Sequence, residues 1–173
     1  MKAQDMLIIL KVQSLQDQHA AGVSIALPQR MLAQDTGVSL SEVNAACLRL
    51  KNIGLLSPEG KVIRVPLLEF LIHGMKYIFP VVTGEVTRGM PTGYAADPLK
   101  EHFLVSEHEL APVWPDAQGN VRGIAMEPLY KSVPVAARKD QRLYEYLVLV
   151  DAIRGGRARE RNKAIEILSE RLG

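Results

Sequence analysis

Apolar positions recur at helical spacing from the start of the chain. Met6, Leu7, Ile9, Leu10, Val12 and Leu15 form a broad apolar face and predict a helix over residues 3–16. The polar stretch 13–22 predicts its end. Leu27-Pro28 then opens a second helix, with the proline near its first turn, where a missing N–H costs little. Met31 and Leu32 are its expected buried residues, and Thr36-Gly37 its stop. Ser39 is a strong N-cap for a third helix, and Glu42 three residues later completes a capping-box pattern. Val43, Ala46, Cys47 and Leu50 share one face of this helix, and Gly54 suits its exit.

Two short apolar runs, Leu55-Leu56 and Val62 to Val65, flank a Pro/Gly turn and predict a hairpin. A fourth helix is expected over 66–77, carrying Leu67, Leu68, Leu71 and Ile72. Residues 79–98 are rich in Pro, Gly and Thr and show no period, so they read as a long ordered loop or linker. A short helix is expected over 97–104 and a second hairpin over 111–126, with Gly119-Asn120 in its turn. Strong helical patterns return at 140–154 and 157–172, separated by Gly155-Gly156. The expectation is therefore an α+β, mainly helical chain. Residues 1–65 run helix, helix, helix, hairpin. Residues 66–173 form a mixed half with a β-hairpin and two terminal helices.

The segment Gly37-Val38-Ser39-Leu40-Ser41-Glu42-Val43-Asn44-Ala45-Ala46-Cys47-Leu48-Arg49-Leu50-Lys51-Asn52-Ile53-Gly54-Leu55-Leu56 resembles winged helix-turn-helix transcription regulators of the MarR-like kind. In that family a tight turn leads into a recognition helix. The helix ends in a leucine, a short polar stretch, then glycine and two apolar residues that enter the wing. The resemblance covers roughly residues 1–65. It implies binding to double-stranded DNA and places the recognition helix over 40–51.

Physical argument supports that use. A major groove admits one helix standing proud of a compact support. With Val43, Ala46, Cys47 and Leu50 buried, Leu40, Ser41, Asn44, Ala45 and Leu48 point elsewhere. Ser41 and Asn44 can hydrogen-bond base edges, and an Asn amide suits adenine. Ser39 stands at the helix start. Arg49, Lys51, Lys61 and Arg64 are expected at phosphates or in the minor groove beside the wing. Ala45 and Leu48 depart from the polar residues common in DNA-binding relatives, and Glu42 adds a negative charge. The face is thus weakly basic, which keeps open a protein-interaction adaptor that uses a winged helix without DNA affinity.

Composition narrows the picture little. The 173-residue chain has a formal charge of +2, so any nucleic-acid contact must use a local basic face. Its single cysteine, Cys47, cannot form an internal disulfide and fits a reducing cytoplasm, where it reads as a buried structural thiol. The run Met6 to Leu10 is too short for a signal h-region, and no stretch approaches a membrane span.

Glu101, His102, Glu107, His108 and Glu109 match no tight ligand spacing and read as a solvated segment, so no metal or cofactor is expected. His73 reads as partly buried and His19 as a loop residue. Trp114, Tyr130, Tyr144 and Tyr146 read as core or interface anchors. Arg154, Arg157, Arg159, Arg161 and Lys163 are either a second nucleic-acid contact or a solvated helix end. GxSxG, HExxH, Walker-type and CxxC motifs are missing, and the chain is read as a non-enzyme. The apolar residues of 140–154 and 157–172 suggest a homodimer surface. The C-terminal half could instead take a ligand or a toxin, as in an antitoxin-like repressor.

Overall fold

The structure, a computed structural model, describes residues 1–18, 28–104 and 109–173. His19, Leu27, Glu107 and His108, weighed above, lie outside the described residues. Helix α1 (Ala3–Gln18) is the axis of the fold. Residues 5 to 15 are all buried, polar ones included. A helix buried on every side belongs to the centre of a protein. The expected end at 16 is too early, because Gln13 and Ser14 are core residues here. Buried charge on α1 is compensated by other elements. The Lys11 ammonium lies 2.8 Å from Asp140 and 3.1 Å from Asp35. The Ser14 hydroxyl donates to Asp140 at 2.8 Å. Such pairing is required, since an isolated buried charge is costly.

Helices α2 (Gln29–Thr36) and α3 (Leu40–Asn52) pack on α1. Pro28 is the N-cap of α2, and its carbonyl accepts from the Met31 and Leu32 N–H groups. Gly37 ends α2 in the left-handed conformation at φ 68°. That conformation favours glycine, and a Cβ there would also lie 3.1 Å from Ser132 Cβ. Ser39 caps α3, its hydroxyl accepting from the Glu42 N–H at 3.4 Å. The other half of the expected capping box does not form. The Glu42 carboxylate accepts from Gln4 Nε2 at 2.8 Å instead.

After α3 the chain makes a hairpin reduced to a single antiparallel rung, with the Ile63 N–H donating to the Leu55 carbonyl at 3.0 Å. It holds one isolated bridge, Leu56 to Val62, with Ser57 N–H donating to the Lys61 carbonyl at 2.7 Å. Helix α4 (Arg64–His73) then starts two residues earlier than expected, and α5 (Met75–Ile78) follows. His73 is exposed rather than partly buried.

The segment read as a loop over 79–98 contains strand β1 (Thr83–Pro91). Strands β2 (Pro112–Pro115) and β3 (Val121–Met126) fall in the segment expected as a hairpin, but they do not pair as one. They run parallel, Pro112 beside Ile124 and Val113 beside Ala125. Each is antiparallel to β1, so the three close into a small barrel. Closure needs close backbone approach. A Cβ on Gly123 would lie 2.0 Å from the Ala111 carbonyl oxygen. Instead of the helix expected over 97–104 there is a 3-10 turn at Lys100–His102.

Helix α6 (Val133–Lys139) packs on α2, and α7 (Gln141–Gly155) and α8 (Ala158–Leu172) complete the chain. The two terminal helices form where the apolar spacing predicted them. Their apolar surface is not free for a dimer, however. Residues 146–153 of α7 are buried without a break, against α1, α6, α8 and α5. On α8, Ala164, Leu168 and Leu172 are buried, and Arg159, Asn162, Glu166 and Glu170 face out. The hydrophobic core runs across residue 65 without interruption, from Met6 to Leu172. The chain is thus α+β, with eight α-helices and one three-stranded sheet among the described residues.

Candidate nucleic-acid interface

The outward side of α3 is built by fixing its inner side. Val43, Ala46 and Leu50 are buried, and Cys47 is half-buried. Burial pushes the Cys47 thiol up from its ordinary value, which disfavours a reactive thiolate. Ser39, Leu40, Ser41, Asn44, Leu48 and Lys51 are exposed, and Ala45 is partly so. The Ser39 and Ser41 hydroxyls lie 3.2 Å apart at the helix start. Leu48 is 61% exposed, high for an apolar residue on a packed helix.

Three of the four cations expected at phosphates are engaged within the chain. Arg49 turns back onto Asp5 of α1 through two bonds, Nε at 3.0 Å and Nη2 at 2.6 Å. Asp5 is fully buried. Burial pushes its carboxyl up, and the Arg49 guanidinium and the Lys2 N–H outweigh that and hold it below the ordinary value. Glu42 lies 3.7 Å from the same guanidinium. Arg49 is therefore a clamp between α3 and α1, because a buried carboxylate recruits the nearest cation.

Lys51 Nζ donates to the Pro58 carbonyl at 2.7 Å and fastens the turn to α3. Arg64 is the first residue of α4, not part of a strand, and lies 3.4 Å from Asp17. Lys61 alone keeps an exposed side chain with no hydrogen bond or ion pair among the described residues. The structure brings Ser39, Ser41, Asn44 and Leu48 onto one helix beside the turn and moves Arg49 and Arg64 out of that set.

The C-terminal half holds the other feature of note. Asp151 of α7 is buried and accepts from Trp114 Nε1 at 2.6 Å, Thr92 Oγ1 at 2.8 Å and Arg154 Nη1 at 2.7 Å. Burial pushes the Asp151 carboxyl up, and these donors oppose the shift. Arg154 also donates to the Phe79 carbonyl at 2.8 Å, so this member of the basic run is internal. Trp114 and Tyr146 are core anchors, and the Tyr144 hydroxyl donates to the Pro91 carbonyl at 2.6 Å.

A cavity of about 300 Å³ lies above Asp151, walled by Val81, Pro112, Ile124 and Met126 and by Tyr94. The Asp151 carboxylate in its wall already accepts three hydrogen bonds, and Glu109, Arg157 and Glu160 line the same cavity, so apolar and charged side chains share it. Among the described residues no three His, Cys, Asp or Glu side chains gather where a metal could sit. No described helix is long and apolar enough to cross a membrane.

Sequence reasoning passed over Asp5, Asp17, Asp140 and Asp151. Asp151, between Val150 and Ala152, and Asp5, before Met6 and Leu7, are acids beside apolar residues, which is a usable signal for burial. Asp17 and Asp140 lie among polar residues and carry no such signal, and their partners lie far along the chain. Compared with known proteins, the chain matches no family model, no curated protein and no solved structure.

Proposed function

We propose that the chain is a sequence-specific transcriptional regulator that enters the major groove of double-stranded DNA with α3. One observation carries the reading. Ser41, Asn44 and Leu48 stand exposed on a helix whose opposite side is buried and clamped to α1 by Arg49 and Asp5. A rigid helix with small polar side chains outward is what base readout requires. The tight turn at Gly37 and the turn beside Lys51 support a winged helix-turn-helix of the MarR-like kind over residues 1–65. Residues 66–173 then complete the core around α1 and serve assembly or partner binding through a surface other than the buried sides of α7 and α8. The regulator works as a cytoplasmic homodimer, since two linked copies multiply a modest single-site affinity. In this reading it is an antitoxin-like repressor with a toxin as protein partner, without catalysis of its own.

A second reading has its own observation. Leu40 and Leu48 are exposed beside a neutralised Arg49, which suits an adaptor that docks a protein. Asn44 separates the two. Its amide can match the N6 and N7 edge of adenine. Asn44→Ala is expected to lose about 1–3 kcal/mol on the best duplex and far less on random duplex. The check is a pair of titrations, with a melting curve to show the fold intact. Equal affinities of wild type and variant on both duplexes would favour the adaptor.

A further inference from the structure

The barrel carries a like-charge pair that the fold does not use. Arg88 of β1 and Arg122 of β3 are direct partners in an antiparallel register. Direct partners share a face, with Cβ atoms roughly 5 Å apart, and like charges so placed repel. Both residues are exposed. Neither side chain makes a hydrogen bond or ion pair among the described residues. Asp116, whose backbone bonds to Arg88, is committed elsewhere. The Asp116 N–H donates to the Arg88 carbonyl at 3.2 Å, yet the Asp116 carboxylate pairs with Arg138 of α6. The adjacent strand positions are Val86 beside Ile124 and Thr87 beside Gly123, so no carboxylate faces the pair from β1 or β3.

The same contacts tie this ribbon to the helix-turn-helix segment. Arg138 lies on α6, where Lys139 Nζ donates to the Gln34 carbonyl at 2.8 Å and Ser132 Oγ donates to the Thr36 carbonyl at 2.5 Å. Two exposed arginines set opposite each other in the strand register, with no acid partner, can both turn to one oxyanion, and Arg binds phosphate through paired N–H donors.

We propose that Arg88 and Arg122 form a phosphate-binding site for a nucleic-acid backbone, separate from α3. The proposal goes beyond the base-reading role of α3 and does not depend on Asn44. The pair contributes affinity without sequence preference, because phosphates carry no base information.

The test is titration of the full chain with a random-sequence duplex over a salt series, for wild type, Arg88→Gln/Arg122→Gln and Arg122→Glu. In the double variant the slope of log affinity against log salt becomes shallower by roughly two. Specific and random duplexes lose affinity by the same factor. Arg122→Glu converts the repulsion into a cross-strand ion pair, so it melts above wild type at low salt while binding more weakly. A double variant that keeps the wild-type slope overturns the site. So does a wild-type chain whose duplex binding is indifferent to salt, or an Arg122→Glu chain that binds as wild type does. Arginine-dependent binding to polyglutamate but not to duplex overturns it in favour of an acidic protein partner. If Asn44→Ala changes nothing while the double variant flattens the slope, the base-reading role of α3 fails and the phosphate site stands.

Discussion

The α3 surface and the barrel ribbon use positive charge in opposite ways. On α3 and the turn after it, Arg49 is tied to Asp5, Lys51 to the Pro58 carbonyl and Arg64 to Asp17. On the barrel, Arg88 and Arg122 stand opposite each other with no acid between them. The first set holds helices in place; the second contributes nothing to holding the fold and works against it. A cation near a presumed binding helix is therefore weak evidence of a phosphate contact. A cation that the fold leaves in an unfavourable place is better evidence, because its cost calls for a use elsewhere.

The largest effect is expected at the barrel's own anchor. Asp151→Ala leaves Arg154 buried without its carboxylate and the Trp114 N–H without an acceptor. The expected loss is about 3–5 kcal/mol, the scale for breaking a buried ion pair. Denaturant unfolding would measure it. A loss under about 1 kcal/mol, the ordinary range for a surface change, would show that the barrel is not anchored through α7.

A smaller effect is expected at the clamp. Arg49→Ala removes two charge-assisted hydrogen bonds to a buried carboxylate and should cost about 1.5–3 kcal/mol. A pH series sharpens the assignment. The folded Asp5 carboxyl titrates below its ordinary value of 3.8, so its contribution is fully present above that pH. It is lost as pH falls through the lowered folded value, because the unfolded chain takes up the proton first. Asp140 is shifted the same way; burial raises it, and Lys11, the Leu143 N–H and Ser14 outweigh burial. Wild type should therefore lose stability below about pH 4, a typical unfolded carboxyl value. Arg49→Ala should lose less over the same interval. Parallel pH profiles for the two proteins would remove Arg49 from the Asp5 clamp.

The smallest effect belongs to Lys51. Its bond to the Pro58 carbonyl is exposed, and Lys51→Ala should leave the melting temperature within a degree or two of wild type, as surface changes generally do. If Lys51 instead contacts phosphate, the variant binds random duplex with a salt slope shallower by about one. An unchanged slope would assign it to the turn alone.

Local signals decided a definite part of this protein. Ser39 and Gly37 mark the α2–α3 junction, and the apolar spacing of Leu143, Tyr146, Leu147 and Val150 marks α7. Gly155-Gly156 separates the two terminal helices. Caps, turns and helical periods depend on residues within a few positions, so they can be read without a structure. Strand β1 escaped because its glycines, Gly84 and Gly89, look like loop residues while serving close packing inside a small barrel. The pairing of β2 and β3 escaped for the same reason, since their common antiparallel partner was unseen.

Only tertiary structure decided which charges are internal. Lys11 meets Asp140, Arg49 meets Asp5 and Tyr146 meets Asp17 across separations of 129, 44 and 129 residues. No pattern along the chain encodes such pairs, because burial and distance arise only when helices pack. The outward row Ser41, Asn44 and Leu48 follows from helical geometry and could be read from the chain. That Arg49 faces inward and that Arg88 faces Arg122 required the fold, because both depend on which element lies alongside.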